Sequence, residues 1–132
     1  MPHPAWEKLL VDCCASTEYM SLATHGYKGL WVNPVYFAHD PHFTFYFISQ
    51  LGCVHMDNIN SNKEVACAIY PSNQSTFGDV YGAYIKGIAE ILTDEQEKHV
   101  ADDIYYRRKY PDDPDARQRG KTAIASPLIG IS

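Results

Sequence analysis

The chain has 132 residues, 45% hydrophobic, 13% aromatic and only 20% charged, a balance that excludes a disordered segment and predicts one domain, residues 1–132, around a single core. Its formal charge of -5 is spread along the sequence, with basic residues gathered only at 106–109 and 117–121, which excludes nucleic acid as an expected partner. No apolar run approaches the ~20 residues that span a bilayer, and the start lacks the basic-then-apolar order of a signal peptide, so no membrane partner and a cytoplasmic location are expected.

From Pro4, residues Trp6, Leu9, Leu10 and Cys13 recur at i, i+3, i+4 and i+7, predicting a helix with one face on the core that ends near Ser16 and Thr17. Tyr19 to Thr24 reads as a first strand, and the segment His25 to Gly29 as a hairpin turn whose two glycines suit positive φ. Leu30 to Ala38 is the second strand. Pro34 within it cannot donate a ladder hydrogen bond, which predicts an edge, a bulge or a gap and an incomplete strand there. Asp40-Pro41-His42 reverses the chain into Phe43 to Ser49, whose aromatics on both faces predict a strand covered on both sides, at the centre of a barrel.

Gly52 breaks that strand, Cys53 to Asn60 reads as a short helix, and Glu64 to Tyr70 as a fourth strand. A polar loop at 71–78 leads into a long strand, Val80 to Leu92, whose Gly82 and Gly87 predict bends or bulges at a barrel corner. Thr93 is the expected N-cap of a helix running to about Lys109, with Gln96 as its reciprocal partner. Asp94, Glu95, Glu97, Asp102 and Asp103, beside Lys98, Arg107 and Arg108, read as its solvated charged face. Pro111 to Asp115 reads as a loop, Gln118 to Gly120 as a weakly structured basic patch, and the apolar residues of 126–132 as a short last strand. This order does not fit alternating βαβ units; it predicts a mainly β fold with flanking helices, its antiparallel sheet closed into a barrel that removes exposed edges.

Cys13, Cys14, Cys53 and Cys67 have neither zinc nor redox-pair spacing and read as reduced, small apolar residues. His39 and His42 flank Pro41 in a turn, where they are ordinary solvated residues, so no metal is expected. The most informative stretch is Phe45 to Ile59, a strand feeding a glycine-containing loop and then a helix start. Loop amides and the positive end of the helix dipole favour a phosphate, with Ser49 as hydroxyl and His55 as a cationic donor; a strand-helix connection with no ligand has the same pattern. Ser49 and His55 have no third orienting residue and no strained elbow, so a hydrolase is not expected.

The run from Ala23-Thr24 through Trp31 to Phe37, Phe45 to Ser49 and His55 to Ile59, with Gly82 to Glu90 as a long strand, resembles the pyridoxamine 5'-phosphate oxidase-like family of FMN-binding split barrels. The resemblance covers roughly residues 5 to 111 and rests on order and spacing. It implies an antiparallel Greek-key split β-barrel with FMN as cofactor. By that resemblance the ring lies along Asn33, Pro34, Val35 and Tyr36 and the strand ending at Ile48 and Ser49, the phosphate sits by the following loop and helix with Ser49 and His55 as its candidates, and Cys53, Val54, Asn58 and Tyr84 complete the cofactor-binding set. It further implies a homodimer with FMN at the interface, where Trp31, Tyr81 and Tyr84 are expected, and NAD(P)H or another small-molecule redox substrate. Val54-His55 stands where the better-known oxidases carry an arginine-lysine pair, and the chain stops at Ser132 before their C-terminal strands. An FMN-dependent oxidoreductase of unknown substrate is therefore expected, not pyridoxamine phosphate oxidation. A non-catalytic flavin-binding or sensing module and a haem-binding split barrel are the alternatives.

Overall fold

A computed structural model describes residues 4–74, 81–123 and 128–131. Helix α1 (Pro4–Ala15) leads into β1 (Tyr19–Gly26), β2 (Gly29–Tyr36), β3 (Ala38–His39) and β4 (Phe45–Ile48). Helix α2 (Val54–Ser61), β5 (Glu64–Ile69), β6 (Ala83–Ile91), α3 (Glu95–Lys109), α4 (Pro114–Ala123) and β7 (Leu128–Ile131) complete the chain order. The described strands form one antiparallel sheet in the order β2-β1-β5-β6-β7-β4-β3. It curls until the edge strand β2 comes up against β4, giving a half-barrel with a seam between them.

The hairpin shows how local chemistry sets this shape. Tyr27 and Lys28 form a two-residue turn between paired Gly26 and Gly29, and Gly29 takes φ +85°, open to glycine without cost. Gly26 serves a different purpose from the turn expected of it. A Cβ there would sit 2.6 Å from the Asn58 carbonyl oxygen and 2.7 Å from Asn58 Cα, with the Ser61 hydroxyl closer still, so glycine is what lets α2 lie on the hairpin.

Pro34 pairs opposite Ser21 in an unbroken register, because β2 is an edge and no neighbour needs its missing N–H. The incomplete stretch expected at Pro34 is instead a break at Phe37, which divides the expected second strand into β2 and β3. β4 is buried on both faces, as its aromatics imply, but it lies next to the end of the sheet. Phe45 and Phe47 enter the main core, and Tyr46 packs under α3 with Ala101. β7 takes a more central place, between β6 and β4.

Gly87 pairs with Val65 inside an unslipped register, so the expected bulge is absent. The corner expected near Gly87 is nonetheless there, made by a change of partners: residues 83–88 pair with β5 and residues 89–91 with β7. The alternation of β1 and β5 puts Met20, Leu22, Cys67 and Ile69 in one core with Phe37, Phe47, Met56, Ile59, Ile129 and Ile131, each stabilising the fold by about 1.5–3 kcal/mol for the larger side chains.

The N-cap of α3 is Asp94, whose carboxylate accepts from Glu97 N at 3.0 Å; it displaces the expected Thr93 because a charged oxygen is the stronger acceptor at a helix N-terminus. Arg107 and Asp103 form the expected exposed pair at 2.8 Å. Arg108 departs from that solvated face. Its guanidinium lies over the Phe37 ring and donates to the carbonyls of Cys14, Thr17 and Phe37, tying α3 to the end of α1 and to the β2–β3 break. The expected loop holds at residues 111–113, but from Pro114, where a missing N–H costs nothing, the rest of it and the expected basic patch are α4 (Pro114–Ala123).

Candidate functional site

Ser49 leaves the end of β4, and Gly52, at φ +91°, turns the chain so that Cys53 can cap α2 with extended backbone. The Cys53 side chain makes no cap hydrogen bond; its thiol donates to Gln50 O at 3.0 Å. The first-turn amides of α2 therefore face the loop with no side chain capping them, as an anion site requires. His55 Nε2 lies 2.7 Å from Ser49 Oγ and 3.5 Å from Cys53 Sγ. The three residues thus converge at the mouth of the helix.

His55 is 8% exposed and packs beside the Phe47 ring, with centroids 6.1 Å apart. Burial lowers its pKa below the ordinary 6.5, because the charged form loses its water. Burial thus favours the neutral imidazole, and the expected cationic form would need a nearby anion to draw the proton on. The tautomer of the neutral ring decides whether Nε2 carries a hydrogen and donates to Ser49 Oγ or is bare and accepts from the hydroxyl, and so which of the two has a hydrogen left for a ligand.

Asn58 is fully buried and spends its amide on the fold. Nδ2 donates to Thr24 Oγ1 at 3.1 Å and to Gly29 O at 2.8 Å, and Oδ1 accepts from Lys28 N at 2.9 Å. It thereby latches α2 to the hairpin turn behind the Ser49–His55 pair. Asn33 stands opposite Leu22 in the register and so shares its inner face. Its Nδ2 donates to Pro34 O at 3.2 Å, while its buried Oδ1 finds no hydrogen-bond partner among the described residues.

The remaining residues of the expected site spread out. Val35 is buried in the core, and Pro34 is exposed on the outer face of the edge strand. Tyr36 packs edge-on against Tyr19 and Tyr105, with Arg108 and Lys109 over its ring. Ile48 packs into the same region beneath α3, and Val54 is half-buried at the start of α2. Tyr84 is 82% exposed and pairs with Ala68, which pairs with Ser21, which faces Pro34. It therefore lies on the opposite side of the sheet from Asn33.

That outer face holds a shallow hollow of about 540 Å³, with Leu30 and Ile88 at its sides, Ala23 and Ala66 at its centre, and His25, Glu64 and Lys86 supplying polarity. The sequence reading overlooked it. Small residues alternating with buried ones along β1 and β5 were the available sign, though they carry meaning only once the register puts them side by side.

The arrangement was compared with known proteins. No protein-family model and no curated protein sequence matches the chain. Solved structures do. A conserved hypothetical protein of Mycobacterium tuberculosis matches at TM-score 0.75 and 16% identity, over 99% of this chain and 79% of its own. A provisionally assigned pyridoxamine 5'-phosphate oxidase of Listeria innocua matches at TM-score 0.66 and 16% identity, over 96% of this chain and 91% of its own. The fold is a split barrel. HutZ, a haem storage protein of Vibrio cholerae, matches at TM-score 0.72 and 11% identity, over 96% of this chain and 88% of its own. At such identities the likeness is one of fold. The split barrel explains the seam between β2 and β4, where the sheet curls without pairing its edges. Among the described residues no helix is long and apolar enough to cross a membrane, and no cluster of three metal-ligating side chains occurs.

Proposed function

We propose that this protein is an FMN-dependent oxidoreductase that holds the flavin along the seam between β2 and β4, with the phosphate at the N-terminus of α2. The observation that carries this reading is the orphan oxygen of Asn33. A buried acceptor without a donor costs about 1–3 kcal/mol, which a ligand N–H on the inner face of β2 offsets. The isoalloxazine ring carries such an N–H and a metal porphyrin does not. Ser49, His55 and the uncapped amides of α2 supply donors suited to the phosphate. The dianion is met by dipoles and hydrogen bonds, a weaker set than a basic pair, strengthened where the phosphate draws a proton onto His55.

The bound flavin would supply the hydride chemistry, with NAD(P)H or another small molecule as the electron source. The chain's own part is to orient the ring through Asn33, anchor the phosphate through Ser49 and His55, and leave one side of the seam open to substrate. The proposed working unit is a homodimer. The outer face supports one, because Leu30, Val32 and Ile88 are exposed there and Glu64 and Lys86 make its charge self-complementary across a two-fold axis. Tyr84 is on the same side of the sheet, beyond these residues along β6, and Trp31 shares the opposite face with Thr24. The four cysteines are free thiols, which fits a reducing compartment, the proposed cytoplasm.

Titration with FMN and with riboflavin tests the reading. Asn33→Ala should weaken both ligands, and His55→Ala should weaken FMN alone. Folded protein that takes up no FMN at micromolar concentration refutes it, and sedimentation equilibrium with and without FMN tests the dimer. A second reading, haem binding, is favoured by the likeness to HutZ and by the neutral imidazole of His55, the form that ligates iron. Haem titration of wild type and His55→Ala separates the two: a Soret band that needs His55, without flavin binding, would establish haem.

A further inference from the structure

The apolar stripe of α1 is only half used by the fold. Leu10 and Cys13 pack on the core, but Trp6 and Leu9 on the same stripe remain 69% and 54% exposed. The face expected to lie on the core therefore runs past it. Across from these residues, at the start of β6, Tyr81 and Tyr84 are also exposed. Helix and strand enclose a cleft of about 370 Å³, within the size range of small-molecule sites, with Leu10, Cys13, Phe43 and Ile85 as its more buried lining.

Two local features shape this cleft. A Cβ at Gly82 would lie 3.3 Å from the Tyr84 hydroxyl and 3.3 Å from the Ile69 carbonyl oxygen, so glycine allows the Tyr84 ring to lean back over the backbone as a wall. Phe43 takes φ +60°, a conformation that costs a bulky residue about 1–3 kcal/mol. In that conformation its ring stacks on His39, with centroids 5.3 Å apart, and reaches the cleft.

The charge is one-sided. Glu7 is the one charged residue among the described lining residues, and its neighbour Lys8 is paired with Asp12 at 2.9 Å. A cleft with aromatic walls, a carboxylate at its rim and no cation among its described lining residues disfavours anions, FMN and haem included. Its walls offer ring faces to an apolar body and its rim a partner to a cation.

We propose that the cleft between α1 and β6 binds a small aromatic amine, with the ring among Trp6, Tyr81 and Tyr84 and the ammonium at Glu7. The site is separate from the proposed flavin seam and does not depend on it.

The experiment uses the full chain carrying Trp31→Phe, which leaves Trp6 as the single tryptophan of the two. Its fluorescence, excited at 295 nm, is titrated with phenethylamine, 2-phenylethanol and 3-phenylpropanoate, three ligands of similar size and different charge. Phenethylamine should quench saturably with a Kd of roughly 1 mM, as its few heavy atoms allow. It should bind about three-fold or more tighter than the alcohol, the carboxylate should bind weakest, and Glu7→Gln should erase the order among the three. Tyr84→Ala should weaken the amine in protein whose circular dichroism is unchanged, and saturating FMN should not displace it. No saturable quenching, equal binding of all three ligands, or an order unchanged in Glu7→Gln would overturn the proposal. So would a Trp6 signal that follows protein concentration in step with self-association, since a second copy would then be what covers the cleft.

Discussion

Gly26→Ala tests whether α2, which carries His55, is positioned by its close approach to the hairpin. The new methyl would be placed 2.6 Å and 2.7 Å from backbone atoms of Asn58, which cannot move aside by changing a rotamer. Overpacking of this kind costs typically 1–3 kcal/mol, and about 0.5–1 kcal/mol returns because alanine has less freedom to lose in a strand than glycine. The net is a loss of about 1–2 kcal/mol. With an unfolding entropy of about 2.1 cal/mol/K per residue over 132 residues, the melting temperature falls by roughly 4–7 °C. Thermal and urea unfolding measure this directly. Adding Ser61→Ala should not rescue the variant, because the immovable contacts belong to Asn58. A Gly26→Ala protein as stable as wild type, or one rescued by Ser61→Ala, would show that the approach of α2 is not what requires glycine.

His55→Ala should weaken FMN roughly ten- to a hundred-fold while leaving riboflavin within about two-fold, since a hydrogen bond to a charged group is worth about 1.5–3 kcal/mol and only FMN has the phosphate; equal losses would assign His55 to the fold or the ring. Because the folded pKa of His55 lies below its unfolded value of about 6.5, the unfolded state binds more protons, so the stability from this residue is present above pH 6.5 and is lost as pH falls through 6.5 toward the folded pKa. His55→Gln should flatten that part of the urea-midpoint profile, and an unchanged slope would contradict it. Arg108→Ala leaves three carbonyls short of a donor and should cost about 3 kcal/mol in urea unfolding, with Arg108→Lys recovering part of it. Among the four cysteines, half-exposed Cys53 should react first with a thiol reagent, since the others are buried and desolvation pushes the thiols of Cys14 and Cys67 up to about 11 and about 12; a second equally fast thiol would contradict the packing.

The local chemistry of the elements was legible in the sequence. Alternation in Tyr19 to Thr24, glycines around Tyr27-Lys28, Gly52 ahead of a short helix and a helix ending at Lys109 are decided by residues a few positions apart, and the structure has them within a residue or two. The barrel class followed, because such an order of elements has few ways to bury its apolar faces. Ser49, Cys53 and His55 fall within one strand-loop-helix, so their convergence could also be anticipated.

What the sequence could not decide was everything that depends on which distant residues become neighbours. Arg108 reads as one more charge on a helix until folding brings the carbonyls of Cys14, Thr17 and Phe37 around it. Asn58 reads as a cofactor-binding residue until Thr24 and Lys28, more than 25 residues away, claim its amide. Trp6 and Leu9 read as core until the sheet curls away from them. β4 lies next to an edge and β7 does not, because strand order is set by how the sheet closes, and local sequence carries no record of it. Periodicity determines which face of an element is apolar; only the tertiary packing determines whether that face, or a polar group on it, is met by the protein, by a ligand or by water.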